Sequence, residues 1–333
     1  MTENMTENVT KAETDSLIPA ALAMEGGSLR GLFSAGVLDV LMERGLYFSY
    51  VNGVSAGSMN ALSYISRQPG RTAKVDFEYV HDKRFLSFRN LVKKREIFSF
   101  EFLFGELCRE LVPFDFETFE HSGQTFEAVV TRCRTGKPEY LSRENCSDMM
   151  KAVQASSSLP VLSHMVKVDG KQYLDGGLSM PVAYRRAMDL GYDKVVVILT
   201  RHKGFRKSPM DKWTDRAYRR YFEPLPRLLD AIEAIPDRYN RMQEEMDRLE
   251  AEGKIYIIRP EQPVLVSRFE RDKEKLQALY GEGRRVAESQ LAGLCGYLGI
   301  DVPEADPKVV EQENRLLQRR EPEGKGQKQT EML

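Results

Sequence analysis

Residues 50–61 read Y-V-N-G-V-S-A-G-S-M-N-A and hold Gly53-Val54-Ser55-Ala56-Gly57, a G-x-S-x-G pattern. Glycines so placed let a strand turn sharply into a helix and push the central hydroxyl into the open. A serine there becomes a nucleophile only with a base beside it and N–H donors for the oxyanion formed on attack. Taken alone, the pattern equally describes a tight turn with an idle serine. The donors could come from Gly26-Gly27-Ser28-Leu29-Arg30-Gly31, a second glycine-rich turn between a strand and a helix, whose free N–H groups would line a positive helix end. Two residues compete for the base. Asp175 leaves a strand and is followed by Gly176 and Gly177, which permit close backbone approach, although Asp-Gly-Gly is also an ordinary turn. His202 follows Ser55 and Asp175 in the order of a Ser–Asp–His triad, while His81, His121 and His164 fall on no signature.

Nucleotide chemistry fits the first glycine turn poorly. A dinucleotide fingerprint needs a glycine where Ser28 stands and an acid at the end of the next strand, which instead ends Asn52-Gly53-Val54-Ser55. A P-loop needs Lys after the last glycine, and Leu32 stands there.

The elements that would position these residues alternate. Strands are expected at 17–24, 48–54, 125–130, 194–200 and 254–259, and helices at 32–44, 56–67, 148–156 and 182–190. Two β-turn-α units in succession predict an α/β fold with a mainly parallel sheet, both glycine turns emerging at the same edge. Asp169-Gly170 predicts a hairpin turn that delivers Asp175. Residues 272–297 read as one or two helices, broken near Gly281 and Gly283. Residues 71–122 differ in texture: phenylalanines interleave with Lys83, Arg84, Arg89, Lys93, Lys94 and Arg95. These rings read as helices capping the core, or as a surface for peripheral membrane contact through 77–104. The charged helices of 205–253 read as a solvated face.

The chain has 333 residues, 41% hydrophobic and 30% charged, with a formal net charge of −1. No basic excess exists for phosphate neutralisation, so nucleic acid is not an expected partner. Four dispersed cysteines form no C-x-x-C pair, and reduced thiols in a cytoplasmic protein are expected, with neither metal nor cofactor. The polar, acidic start has no apolar core of a secretory signal, and no run of about 18 apolar residues occurs. The expected organisation is a disordered tail at 1–16, one α/β domain at 17–300 with a cap insertion at 71–122 and charged helices at 205–253, and a mostly disordered polar tail at 301–333.

E-G-G-S-L-R-G-L-F-S-A-G-V-L-D, G-V-S-A-G, A-S-S-S-L-P and D-G-G, in that order and at these intervals, resemble the patatin-like phospholipases, over about residues 22–201. The resemblance implies a three-layer α/β/α fold and a Ser–Asp dyad that hydrolyses acyl lipids. By position, Ser55 would be the nucleophile and Asp175 the base. The turn at Gly26, Gly27 and Ser28 would form the oxyanion hole, with Arg30 supporting it electrostatically, and Gly31, Gly53, Gly57, Gly176 and Gly177 would be the motif glycines. The departure is Ser28, where many members carry a third glycine. From the cysteines and the basic, aromatic stretch, the expected location is cytoplasmic, with peripheral contact at the inner membrane face as the sharper alternative. Two other readings stay open: an esterase with a Ser–Asp–His triad, and a non-catalytic membrane-surface protein.

Overall fold

The computed structural model describes residues 17–87 and 96–318. Its sheet contains β1 (Ile18–Met24), β2 (Phe48–Val54), β3 (Thr125–Arg132), β4 (Pro138–Leu141), β5 (Val166–Val168), β6 (Lys171–Asp175), β7 (Val195–Ile198) and β8 (Tyr256–Ile258). The segment β8-β7-β1-β2-β3 is parallel throughout, and the antiparallel strands gather around β3. Both faces of the parallel strands are covered, and their residues sort by alternation. On β1, Leu22 and Met24 enter one core and Ala21 and Ala23 the other; on β7, Val196 and Ile198 oppose Val195 and Val197 in the same way.

The first face packs helices α1 (Gly31–Glu43), α2 (Ala56–Ile65) and α3 (Arg71–Tyr79). Around β3 follow α4 (Phe116–His121) and α5 (Met149–Ser156). The second face packs α6 (Tyr184–Asp189). The charged stretch then folds as α7 (Lys212–Tyr221), α8 (Pro226–Glu233) and α9 (Ile235–Ala251), with Met242, Met246 and Leu249 of α9 buried on that second face. The result is a three-layer α/β/α fold.

Helix α10 (Lys273–Leu298) runs unbroken for 26 residues, where a break at Gly281 and Gly283 was expected. Gly283 serves contact, not interruption, while a Cβ on Gly281 would meet nothing within 4 Å. A Cβ on Gly283 would lie 2.1 Å from the Phe33 carbonyl oxygen, and one on Gly36 would lie 2.3 Å from that of Tyr280. Small residues on both sides let α1 and α10 approach backbone to backbone.

The expected polar tail also differs: α11 (Pro307–Gln318) is helical and buries Glu313. There Arg284 donates 2.8 Å to Glu313 and 2.8 Å to Glu43. Residues 319–333 of that tail and residues 1–16 lie outside the described residues.

In 71–122 the rings of Phe85, Phe100, Phe102, Phe114 and Phe119 are buried in the main core, which is the capping reading. Phe88, Arg89, Lys93, Lys94 and Arg95, on which much of the membrane reading rested, lie outside the described residues. Among the described residues, no helix is long and apolar enough to cross a membrane.

Candidate active site

The register of β3 explains how residues 120 positions apart in the chain come together. Strand β4 takes one edge of β3, pairing Val129 with Tyr140 and Val130 with Glu139. On the other edge β2 runs parallel and ends with Val54 opposite Val129. The same edge is continued by β6, antiparallel, whose last residue Asp175 pairs with Val130. Two strands therefore arrive from opposite directions and stop at adjoining positions, one delivering Ser55 and the other Asp175.

Ser55 sits between β2 and α2 with φ 54 and ψ −122, a left-handed conformation that costs a non-glycine residue of order 1–3 kcal/mol. Close packing holds the turn. A Cβ on Gly57 would lie 2.7 Å from the Met24 carbonyl oxygen, and one on Gly53 would lie 2.5 Å from the backbone of Gly57. The Ser55 amide donates to Ser156 Oγ at 2.9 Å, and Ser156 donates onward to the Val129 carbonyl at 2.7 Å. Ser156 thus bridges the gap where β2 and β6 both end. Sequence reasoning missed this role; the serine run after α5 was its only visible trace.

Asp175 caps the turn of Gly176–Leu178, its Oδ1 accepting from the Gly177 amide at 2.7 Å. Thr131 Oγ1 donates to the Asp175 carbonyl at 2.8 Å and fixes the backbone from below. Gly176 lies against Val129, where a Cβ would come within 2.2 Å of the carbonyl oxygen. Oδ2 is buried and has no partner at hydrogen-bond geometry among the described residues. Burial pushes the Asp175 pKa up, while the Ser55 hydroxyl, the Gly177 amide, Arg268 and Lys207 pull it down. The carboxylate is therefore a stronger base than a solvated aspartate, and it lines the same cavity as Ser55.

The second glycine turn abuts the first. A Cβ on Gly26 would lie 2.9 Å from Ser55 Cβ, and one on Gly31 would lie 2.9 Å from Ala56 Cβ. Ser28 adopts φ 50, the conformation a third glycine would take without strain. Among the described residues, no intramolecular hydrogen bond uses the amides of Gly26, Gly27 or Ser28. Glu25 anchors this turn: its carboxylate accepts from the Thr200 amide at 2.6 Å and from the Tyr239 hydroxyl at 2.8 Å. Arg30 is 8% exposed, and its Nε is buried without a partner among the described residues.

Ser55 lies between two cavities. The larger, about 520 Å³, is lined by Ser55, Asp175, Gly26, Gly27, Ser28, Arg30 and, from 201–268, by Arg201, Lys207, Tyr239 and Arg268. The stretch expected to be a solvated face thus supplies part of the site wall. The narrower, about 100 Å³, shares Ser28, Ser55 and Leu159 with the first and is lined mainly by apolar groups, among them Met59, Val75, Phe85, Phe98 and Phe100. Its one carboxylate, Asp76, is pushed up by burial to about 7. No histidine lines either cavity among the described residues. His164 faces a separate depression beside Phe104, and the Nδ1 of His202 is buried without a partner among the described residues.

Comparison with known proteins matches two segments of this chain. The family model "Patatin-like phospholipase" matches residues 22–188, which is half of the chain. A second model, "Domain of unknown function (DUF6363)", matches residues 225–299, the segment that supplies Tyr239 and Arg268. "Uncharacterized protein YjjU" of Escherichia coli (strain K12) is 28% identical over 252 residues, covering 73% of this chain and 69% of that protein. Among solved structures, VipD from Legionella pneumophila is similar at a TM-score of 0.41 and 13% identity, over 83% of this chain and 67% of that one. With the sheet, the two glycine turns and the first of these matches, the chain belongs to the patatin-like phospholipase family.

Proposed function

We propose that the protein is a lipid acyl hydrolase working through an acyl-serine intermediate with a Ser55–Asp175 dyad. The observation that carries this reading is the meeting of β2 and β6 on one edge of β3, with the Gly26–Ser28 turn against the serine. Ser55 Oγ attacks the ester carbonyl as Asp175 takes its proton. The oxyanion is held by the amides of Gly27 and Ser28, with Gly26 shaping the turn; losing one such donor costs ~3 kcal/mol of transition-state stabilisation. Arg30, buried under the turn, adds positive potential. Asp175 then returns the proton to the departing alcohol, and water, activated by the same carboxylate, releases the acyl group.

An aspartate is a weaker base than histidine by about 2.6 pKa units in solution, or ~3.5 kcal/mol. Burial of Asp175 offsets part of that deficit. The narrow apolar cavity suits an acyl chain, since each buried methylene contributes ~0.8 kcal/mol. The substrate would be an acyl lipid met at a membrane surface.

The test is hydrolysis of p-nitrophenyl butyrate and of detergent-dispersed phospholipids by purified protein. Release of acid that disappears in Ser55→Ala supports the reading. Hydrolysis that persists in Ser55→Ala overturns it, and no hydrolysis of any ester favours a non-catalytic surface protein.

A further inference from the structure

We propose that Tyr239 is a positioning residue for the oxyanion turn, acting through Glu25, and that the C-terminal segment at 225–299 is thereby a working part of the catalytic apparatus. This rests on the acyl-hydrolase reading and adds a residue to it. Tyr239 lies on α9, within that segment, and is 1% exposed. Its ring is held by Phe205, edge-on at 6.0 Å between centroids, and by Lys207 Nζ, 4.2 Å from the ring centroid. Its hydroxyl donates to Glu25 Oε1 at 2.8 Å. Glu25 is 4% exposed and directly precedes Gly26. The other carboxylate oxygen, Oε2, accepts from the Thr200 amide at 2.6 Å and from Thr200 Oγ1 at 3.1 Å. One carboxylate thus ties the end of β1 to the end of β7 and both to α9.

The backbone of Glu25 touches both catalytic turns. Its amide donates to the Ile198 carbonyl at 3.0 Å, extending the pairing of β1 with β7 by one residue. A Cβ on Gly57 would lie 2.9 Å from its carbonyl oxygen, so Glu25 also packs on the start of the nucleophile's helix. Beyond Glu25 the turn rests against Thr200: Oγ1 donates to the Gly26 carbonyl at 3.0 Å, and a Cβ on Gly27 would come within 2.9 Å of the same oxygen. The Thr200 hydroxyl has one hydrogen and two acceptors in reach, Glu25 Oε2 and the Gly26 carbonyl. With Tyr239 and the Thr200 amide supplying Glu25, that hydrogen is free to hold Gly26. Without the Tyr239 hydroxyl, a buried carboxylate oxygen is left unpaired, which is costly. The side chain relieves that cost by drawing the Thr200 hydrogen to itself or by turning toward Arg30 and Arg201 in the cavity wall. Either move releases the Gly26–Ser28 turn, whose amides must sit about 2.7–3.1 Å from the developing oxyanion. Tyr239 reaches the reacting atoms only through this chain of contacts.

The test is Tyr239→Phe, which keeps the ring and removes the hydroxyl, assayed at a temperature where the variant is fully folded. Steady-state hydrolysis of p-nitrophenyl butyrate is measured beside inhibition by a trifluoromethyl ketone of the same chain length. Ser55 Oγ adds to that ketone carbon as its proton passes to Asp175, leaving an alkoxide where the oxyanion would sit. The expected result is a kcat at least tenfold lower with KM within twofold, and a ketone Ki raised by the same factor as kcat/KM falls. Glu25→Gln should show the same split, and the double variant should lose little more than the worse single one, because both act on one path. Unchanged kcat and ketone affinity in Tyr239→Phe overturn the proposal, whatever the variant's stability. A raised KM with kcat intact makes Tyr239 a substrate contact and overturns it too. Losses that multiply in the double variant overturn the route through Glu25. In each of these cases acyl hydrolysis still stands. A wild-type protein that neither cleaves the ester nor binds the ketone sinks the acyl-hydrolase reading, and this proposal with it.

Discussion

Replacing Ser156 with alanine removes one hydroxyl and strands two backbone groups. In the native protein that hydroxyl receives the Ser55 amide at 2.9 Å and reaches the Val129 carbonyl at 2.7 Å, all three being buried. A buried polar group left unpaired costs about 1–3 kcal/mol, so the loss should be ~2–4 kcal/mol for the pair. For a chain of this length ~2 °C per kcal/mol is appropriate, giving a fall in Tm of ~4–8 °C. The effect on activity should exceed what lost stability explains. Ser55 is held at φ 54 by its surroundings, and freeing its amide lets the turn relax toward an easier conformation. We therefore expect kcat on a soluble ester to fall at least tenfold at a temperature where the variant is fully folded, with KM little changed. The assays are urea unfolding followed by circular dichroism and steady-state hydrolysis on the same preparation. A stability change below ~0.5 kcal/mol, or a stability loss with kcat intact, would refute the idea that Ser156 positions the serine turn.

Three further variants probe other contacts of the site and the fold. Asp175→Asn should lower kcat by ~10²–10⁴-fold, and the wild-type kcat/KM should rise with pH on a limb above the ordinary carboxylate range, because the base acts only when ionised and burial raises its pKa. Since that raised pKa means the fold binds the Asp175 proton better than the unfolded chain does, its ionisation destabilises the protein as pH rises; Asp175→Asn, which keeps the Oδ1 acceptor for Gly177, should be at least as stable as wild type at pH 8 by thermal unfolding. Arg284→Met should cost stability near the lower end of ~3–5 kcal/mol at pH 8 and less at pH 5, because Asp39 and Glu43, both pushed up to about 7 by burial, are then protonated and need the guanidinium less; equal losses at both pH values would contradict this. Gly283→Ala should destabilise by ~1–3 kcal/mol in chemical denaturation, since its Cβ would meet the Phe33 carbonyl at 2.1 Å.

What could be read from the sequence was local. Strand-turn-helix chemistry is written in neighbouring residues, so Ser55, the Gly26–Gly31 turn and the Asp169-Gly170 hairpin leading to Asp175 were all visible, and the hairpin turn takes φ 46 and 79 as its residues imply. What escaped were pairings across distance. Nothing near Ser156 announces that it bridges a strand break 101 residues upstream. Gly283 looked like a helix breaker because the helix it touches lies some 250 residues earlier. Glu313 carried no local sign that Tyr280, at 2.5 Å, and Arg284 would bury it and order α11. The charge of 205–253 was read by its average, and so the residues turned inward, Lys207 and Tyr239, were lost among those facing solvent.

The central claim is that Ser55 is made nucleophilic by Asp175. Intact-mass analysis and peptide mapping after reaction with a fluorophosphonate test it directly. The account predicts a single adduct on Ser55. That adduct should be absent in Ser55→Ala and form at least a hundredfold more slowly in Asp175→Asn. An adduct on another residue, or labelling of Ser55 at an unchanged rate in Asp175→Asn, would contradict it.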